Sequence, residues 1–110
     1  MGQLTEGTDY EVMGVNRGDV YNEIVIRTIN TVDAADYIEV DLTKYGIHAT
    51  GLMSVKGWKH TTDDSIAVAE NPDTSVSGNT LTITVPSGTN DDPRFYIIKG
   101  FATPNPAASL

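Results

Sequence analysis

"TSVSGNTLTITVP" (residues 74–86) decides the fold class. Two short runs flank Gly78 and Asn79, the residue pair that marks a two-residue hairpin turn. In the second run Leu81, Ile83 and Val85 alternate with Thr80, Thr82 and Thr84. A period of two sends the aliphatic set to a core face and the threonines toward solvent. Pro86 has no N–H to give to a ladder and stops the strand. The stretch therefore reads as an antiparallel hairpin with one buried face.

The same signature recurs in both directions from this hairpin, with Gly, Pro, Asn or Asp between runs. Strands are predicted over 9–15, 20–29, 36–42, 51–59, 65–70 and 94–102. In 36–42, Ile38, Val40 and Leu42 point inward. In 20–29, Ile24 and Ile26 share one face while Val25 and Ile29 occupy the other. In 51–59, Met53 and Val55 are expected on one side, and in 65–70 Ile66 and Val68. In 94–102, Phe95, Ile97 and Phe101 share one face, with Tyr96 and Ile98 on the other. Both faces of that strand are thus expected to be covered, by a central position or by another subunit. "DLTKYG" (41–46) reads as a short helical or 3₁₀ turn that ends at Gly46.

About eight short strands predict an all-β fold: an antiparallel β-sandwich of jelly-roll or Greek-key type, with a small barrel as the alternative. The sandwich is expected over 9–102, with a flexible arm at 1–8 and a flexible tail at 103–110, where Pro104 and Pro106 resist pairing. The 110 residues suit one domain with a modest core. Fifteen acidic against seven basic side chains give a net charge of -8, which disfavours nucleic acid and anionic membrane surfaces as partners. The absence of cysteine excludes disulfides, thiolate catalysis and cysteine-ligated zinc. Neither a signal peptide nor a membrane span is expected.

Chemistry is thin. The two histidines, His48 and His60, lie in no G-x-S-x-G or H-E-x-x-H motif. "GWKHTTDD" sets His60 near Asp63 and Asp64, and "TNDDP" sets Asp91 beside Asp92. These are candidate metal ligands, for calcium if two loops combine. Ordinary turn chemistry accounts for both clusters, because Asp and Thr side chains bond local backbone groups. No cofactor and no enzymatic activity are therefore expected. Arg17, Gly18 and Asp19 form an RGD tripeptide, which a turn with Gly18 at positive φ would explain. Trp58, the lone tryptophan, is expected in the core rather than displayed as a sugar-stacking platform. A carbohydrate- or ligand-binding sandwich using Trp58 and nearby tyrosines is the second functional reading.

Two longer stretches, "ADYIEVDLTKYGIHATGLMSVKGW" (35–58) and "SGNTLTITVPSGTNDDPRFYIIKGFA" (77–102), resemble small structural proteins of tailed bacteriophages. The likeness lies in a strand running into the Asp41–Leu42 and Tyr45–Gly46 turn, a central strand, and a closing hairpin. It spans most of residues 36–102. The resemblance implies a non-enzymatic virion protein, foremost a head decoration (cement) protein on the capsid surface. It implies a homo-oligomer, expected as a trimer, with the major capsid protein as partner. A tail- or fibre-associated protein is the alternative within that resemblance. The contact residues expected on this reading are Leu4 and Tyr10, from an arm that adds a strand to a neighbour, and Val25, Ile29, Tyr96 and Ile98, from the two-sided apolar strands.

Overall fold

Gly78 and Asn79 join β-strands Asp73–Ser77 and Thr80–Thr84, which pair antiparallel with Ser77 opposite Thr80 and Val76 opposite Leu81. Gly78 takes φ 59°, the positive value that the first central position of a type II′ turn demands. In this computed structural model, which describes residues 2–29, 32–60, 67–86 and 93–102, the hairpin is one of several antiparallel ladders. The strands are β1 (Tyr10–Asn16), β2 (Tyr21–Thr28), β3 (Tyr37–Asp41), β4 (Ile47–His60), β5 (Ala67–Glu70), β6 (Asp73–Ser77), β7 (Thr80–Thr84) and β8 (Arg94–Ala102). They form a five-stranded sheet, β1-β2-β8-β4-β5, and a three-stranded sheet, β3-β7-β6. In sequence the β3–β7 ladder nests inside the β2–β8 ladder, the wrapping order of a jelly roll.

The two sheets share one core, so the protein is an all-β antiparallel sandwich. Ile24, Ile26, Tyr96 and Ile98 come from the large sheet, and Ile38, Val40, Leu81 and Ile83 from the small one. Each fully buried side chain of this kind contributes about 1.5–3 kcal/mol relative to exposure. Leu42 and Ile47 close one end. Leu42 opens the 3₁₀ turn Leu42–Tyr45, where the Asp41 side chain accepts from the Thr43 N–H and Gly46 ends the turn at φ 75°. Asn22, buried opposite this turn, donates its amide to the carbonyls of Tyr45 (3.2 Å) and Gly46 (3.0 Å) and accepts from the Gly18 N–H (3.1 Å).

Three expectations change here. First, β4 runs for 14 residues with register shifts on either side of Leu52. The irregularity turns Met53 out to solvent and packs both Leu52 and Val55 against the core, so Met53 and Val55 do not share a face. An extra residue in a ladder has this effect on the phase of a strand. Val68 is likewise exposed, and Ile66 lies outside the described residues. Second, the stretch at 1–8 read as a flexible arm is paired over its described part. The Leu4 N–H donates to Tyr37 O at 2.8 Å and the Tyr37 N–H to Gly2 O at 3.0 Å, while Leu4 leans on the core. These bonds cover the outer edge of β3, which would otherwise expose unpaired backbone groups. The tail at 103–110 lies outside the described residues. Third, Tyr10, Tyr96 and Ile98 are core residues, at 6%, 1% and 0% exposure. Facing the opposite sheet, they have no surface to offer a partner.

The buried tyrosines make a pH prediction. Burial pushes the Tyr96 phenol up to about 12, with Glu70 adding to the rise and Arg94 opposing it. Burial also raises Tyr10, helped by Glu6. A folded-state value above the unfolded one means that the native state holds its protons longer. The stabilisation is complete below pH 10 and is lost as pH climbs toward 12. Ultraviolet titration at the phenolate band should show Tyr10 and Tyr96 ionising late and together with unfolding. Ionisation of all five tyrosines near pH 10 in a still-folded chain would contradict this.

Candidate interaction surface

Antiparallel pairing places residues of neighbouring strands in rows, and every second residue of β2, β8 and β4 points away from the core. On the outer face of the large sheet one row holds Arg27, Phe95 and Trp58, the next Val25, Ile97 and Lys56, and the next Glu23, Lys99 and Ser54. Tyr21 and Phe101 pair beyond them. Five of the eight outward positions on β2 and β8 are thus apolar or aromatic: Tyr21, Val25, Phe95, Ile97 and Phe101. Met13, thrown out at a register shift in β1, and Ile29 extend the stripe, at 53% and 46% exposure.

The small sheet provides an internal comparison. Its outward rows are Tyr37, Thr84 and Asp73; Glu39, Thr82 and Ser75; Asp41, Thr80 and Ser77. No lysine, arginine or aliphatic residue is among them. One outer face is patterned for water, and the other carries the pattern of a sheet covered on both sides.

Trp58 and Phe95 stack across the β4–β8 ladder, with ring centroids 4.9 Å apart and planes 12° from parallel. Trp58 is therefore not a core residue: its place on the inner face is taken by Gly57, against which the Tyr96 ring packs. A Cβ on Gly57 would sit 2.9 Å from that ring. His60 joins the group with its ring tilted toward Phe95, centroids 6.1 Å apart. A hollow of about 590 Å³ beside them is lined by Met13, Val25, Arg27, Ile29, His60 and Phe95 among others.

The electrostatics of the face are mixed. Lys99 lies 3.8 Å from Glu23 and 4.7 Å above the Tyr21 ring centre. Arg27 and Lys56 form no ion pair among the described residues. Arg27, Lys56 and Lys99 are three of the seven basic residues of a chain with net charge -8. The acids concentrate elsewhere, including Glu39, Asp41 and Asp73 on the small sheet.

Of the residues expected to make contacts, Val25 and Ile29 lie on this face. Leu4 sits apart, half-buried in the N-terminal segment against the core. Of the candidate metal ligands, His60 is described and its backbone N–H donates to Pro93 O at 3.0 Å. Asp63, Asp64, Asp91 and Asp92 lie outside the described residues. Among the described residues no three His, Asp or Glu side chains gather to hold a metal ion. His48 shares its Nδ1 with Thr50, whose hydroxyl is 2.9 Å away, on an exposed stretch.

The RGD turn also needs correction: Gly18 does not take a positive φ. Glycine is required there because a Cβ would come within 2.8 Å of Tyr21 O. The Arg17 guanidinium turns back toward Tyr45 O, at 3.5 Å.

Comparison with known proteins finds no matching family model, no matching curated protein and no matching solved structure. The chemistry of the face is the guide to function.

Proposed function

We propose that the chain is a non-enzymatic structural protein of a virion, a decoration protein that works as part of an assembly on the capsid surface. The observation that carries this reading is the contrast between the two outer faces. The Thr–Ser–acid grid of the small sheet suits permanent contact with water. The Tyr21–Phe101, Val25–Ile97 and Phe95–Trp58 stripe suits cover by a partner. A domain of this kind gains avidity by repetition rather than by a pocket. The resemblance of most of residues 36–102 to small structural proteins of tailed bacteriophages supports the virion as the assembly.

Mass spectrometry of purified virions tests it. The chain should be found with the other head proteins at a copy number in proportion to the capsid lattice. Its absence from virions in which the remaining head proteins are detected would overturn the reading.

One observation favours a second reading, a carbohydrate-binding module. Phe95, on which the half-buried Trp58 stacks, lines the 590 Å³ hollow, where a flat sugar face could meet an aromatic ring. Against it, the parallel stack with Phe95 already covers one face of each ring. A glycan array with no binder removes this reading.

A further inference from the structure

Along β2, Glu23 and Arg27 flank Val25 at equal spacing, two residues to either side. Along β8, Lys99 and Phe95 flank Ile97 in the same way. Register aligns the two triplets: Glu23 with Lys99, Val25 with Ile97, Arg27 with Phe95. The pattern is self-complementary. Turn a second copy over, so that the outer faces meet and the strands of the same name run antiparallel. Val25 and Ile97 then lie over their own counterparts. Arg27 of each copy lies over Glu23 of the other, and Lys99 of each over the Phe95 ring of the other.

We propose that the outer face of the five-stranded sheet pairs two copies of this chain, face to face about a two-fold axis at the level of Val25 and Ile97. An isologous contact requires each surface to match itself inverted, and this one does so in shape class and in charge sign. Glu11 stands opposite Arg27 across the β1–β2 ladder without forming an ion pair, and the pairing sets a second carboxylate, Glu23 of the other copy, over the guanidinium. It gives Lys99 an aromatic face in addition to Tyr21. It also turns the acidic small sheets, with Glu39, Asp41 and Asp73, to the two outsides of the pair, as far apart as possible. Stacking front to back would instead set the apolar stripe on the Thr–Ser–acid grid. The one like-charge meeting is Lys56 with Lys56, on β4. Facing sheets cross at about 30°, which separates the flanking strands, and the long side chains can reach water.

The stripe spans seven residues from Tyr21 to Arg27, roughly 20 Å, and three strands, roughly 15 Å. That is below the ~800 Å² per partner of a standard interface. The pairing is therefore expected to be weak, with Kd on the order of micromolar. It is independent of the virion reading, since a chain absent from virions could still pair. It also replaces the trimer that the phage resemblance implies with a two-fold unit.

Sedimentation velocity of the purified full chain over a concentration series is the test. The wild type should pass from 11.8 kDa to twice that mass. I97K, which alters an outward position, should stay monomeric with an unchanged circular dichroism spectrum. R27E and E23R should each weaken pairing about tenfold or more, and the double variant R27E/E23R, which restores opposite signs across the axis, should recover most of it. A wild type that remains a monomer to about millimolar concentration overturns the proposal and leaves the face to a different protein. So does a dimer or trimer that I97K leaves intact, or a charge-swapped double variant no better than its parents.

Discussion

Replacing Arg94 with alanine should destabilise the chain by about 3–5 kcal/mol, a large share of the ~5–15 kcal/mol that holds a domain of this size together. Arg94 opens β8 on its inner face and is 1% exposed. Its Nε donates to Glu70 Oε1 at 2.7 Å and its Nη2 to Glu70 Oε2 at 3.2 Å, a bidentate fork joining β8 to β5 across the intervening β4. Its Nη1 donates to Val32 O at 3.0 Å. The Arg94 backbone is held too. Its N–H donates to the Thr28 hydroxyl oxygen at 2.8 Å, and that hydroxyl lies 3.1 Å from Arg94 O. Truncation takes the fork from the Glu70 carboxylate, 9% exposed, which Lys59 approaches at 3.9 Å. Lysine in place of Arg94 cannot reproduce the fork and should lose most of the same stability. Replacing both partners with apolar residues, as in R94M/E70L, should be far less harmful than R94A alone, because no charge is then stranded. Urea unfolding followed by circular dichroism reads these differences. A loss below about 1 kcal/mol for R94A would show that the pair is incidental.

Gly57→Val is expected to cost about 1–3 kcal/mol or more through overpacking. A Cβ at residue 57 would lie 2.9 Å from the Glu70 backbone oxygen and 2.9 Å from the Tyr96 ring. Neither neighbour can yield easily: Glu70 O belongs to the β4–β5 ladder, and Tyr96 is wedged in the core. The side chain would have to push β5 away or tilt the Tyr96 ring. Pushing β5 away would loosen Glu70 from Arg94. Tilting the ring would admit water to the phenol, so Tyr96 should ionise earlier in the variant than in the wild type. Gly57→Ala should move both readouts the same way by less. An unchanged unfolding midpoint with an unchanged tyrosine titration would contradict this packing.

Where side chains alternate cleanly, the fold could be read directly from the sequence. Ile38, Val40 and Leu42, the set Leu81, Ile83 and Val85, and the pair Ile24 and Ile26 all face the core as their period of two requires. The Asp41–Gly46 turn was equally legible, because capping and left-handed termination have their own residue types. Reading failed where phase depends on partners distant in sequence. The bulge at Met53 shifts β4 against β8, and nothing local announces it. Arg94 looks like a surface residue until Glu70, 24 positions away, is brought beside it. Trp58 is the most instructive miss. A lone tryptophan on a strand reads as core, but the inner position was already filled by Tyr96 over Gly57, and the tryptophan was left on the other side.

The interaction surface was half legible. That 94–102 has two apolar faces follows from sequence alone, but which set faces inward does not, since Phe95, Ile97 and Phe101 are as apolar as Tyr96 and Ile98. The buried Arg94–Glu70 pair and the space above Gly57 fix the phase. Phe95 and Ile97 then face outward, and Tyr96 and Ile98, expected as contact residues, become core.

Trp58 reports on that face directly, because it is the only tryptophan in the chain and lies in the row with Phe95 and Arg27. The decisive measurement is acrylamide quenching of its fluorescence at rising protein concentration, with I97K alongside. If the outer face of the large sheet is built to be covered by a second copy, quenching of the wild type should fall as concentration rises while I97K stays constant and high. Quenching that is independent of concentration and identical in the two proteins would mean that the face remains open to water, and the account of it as a pairing surface would be wrong.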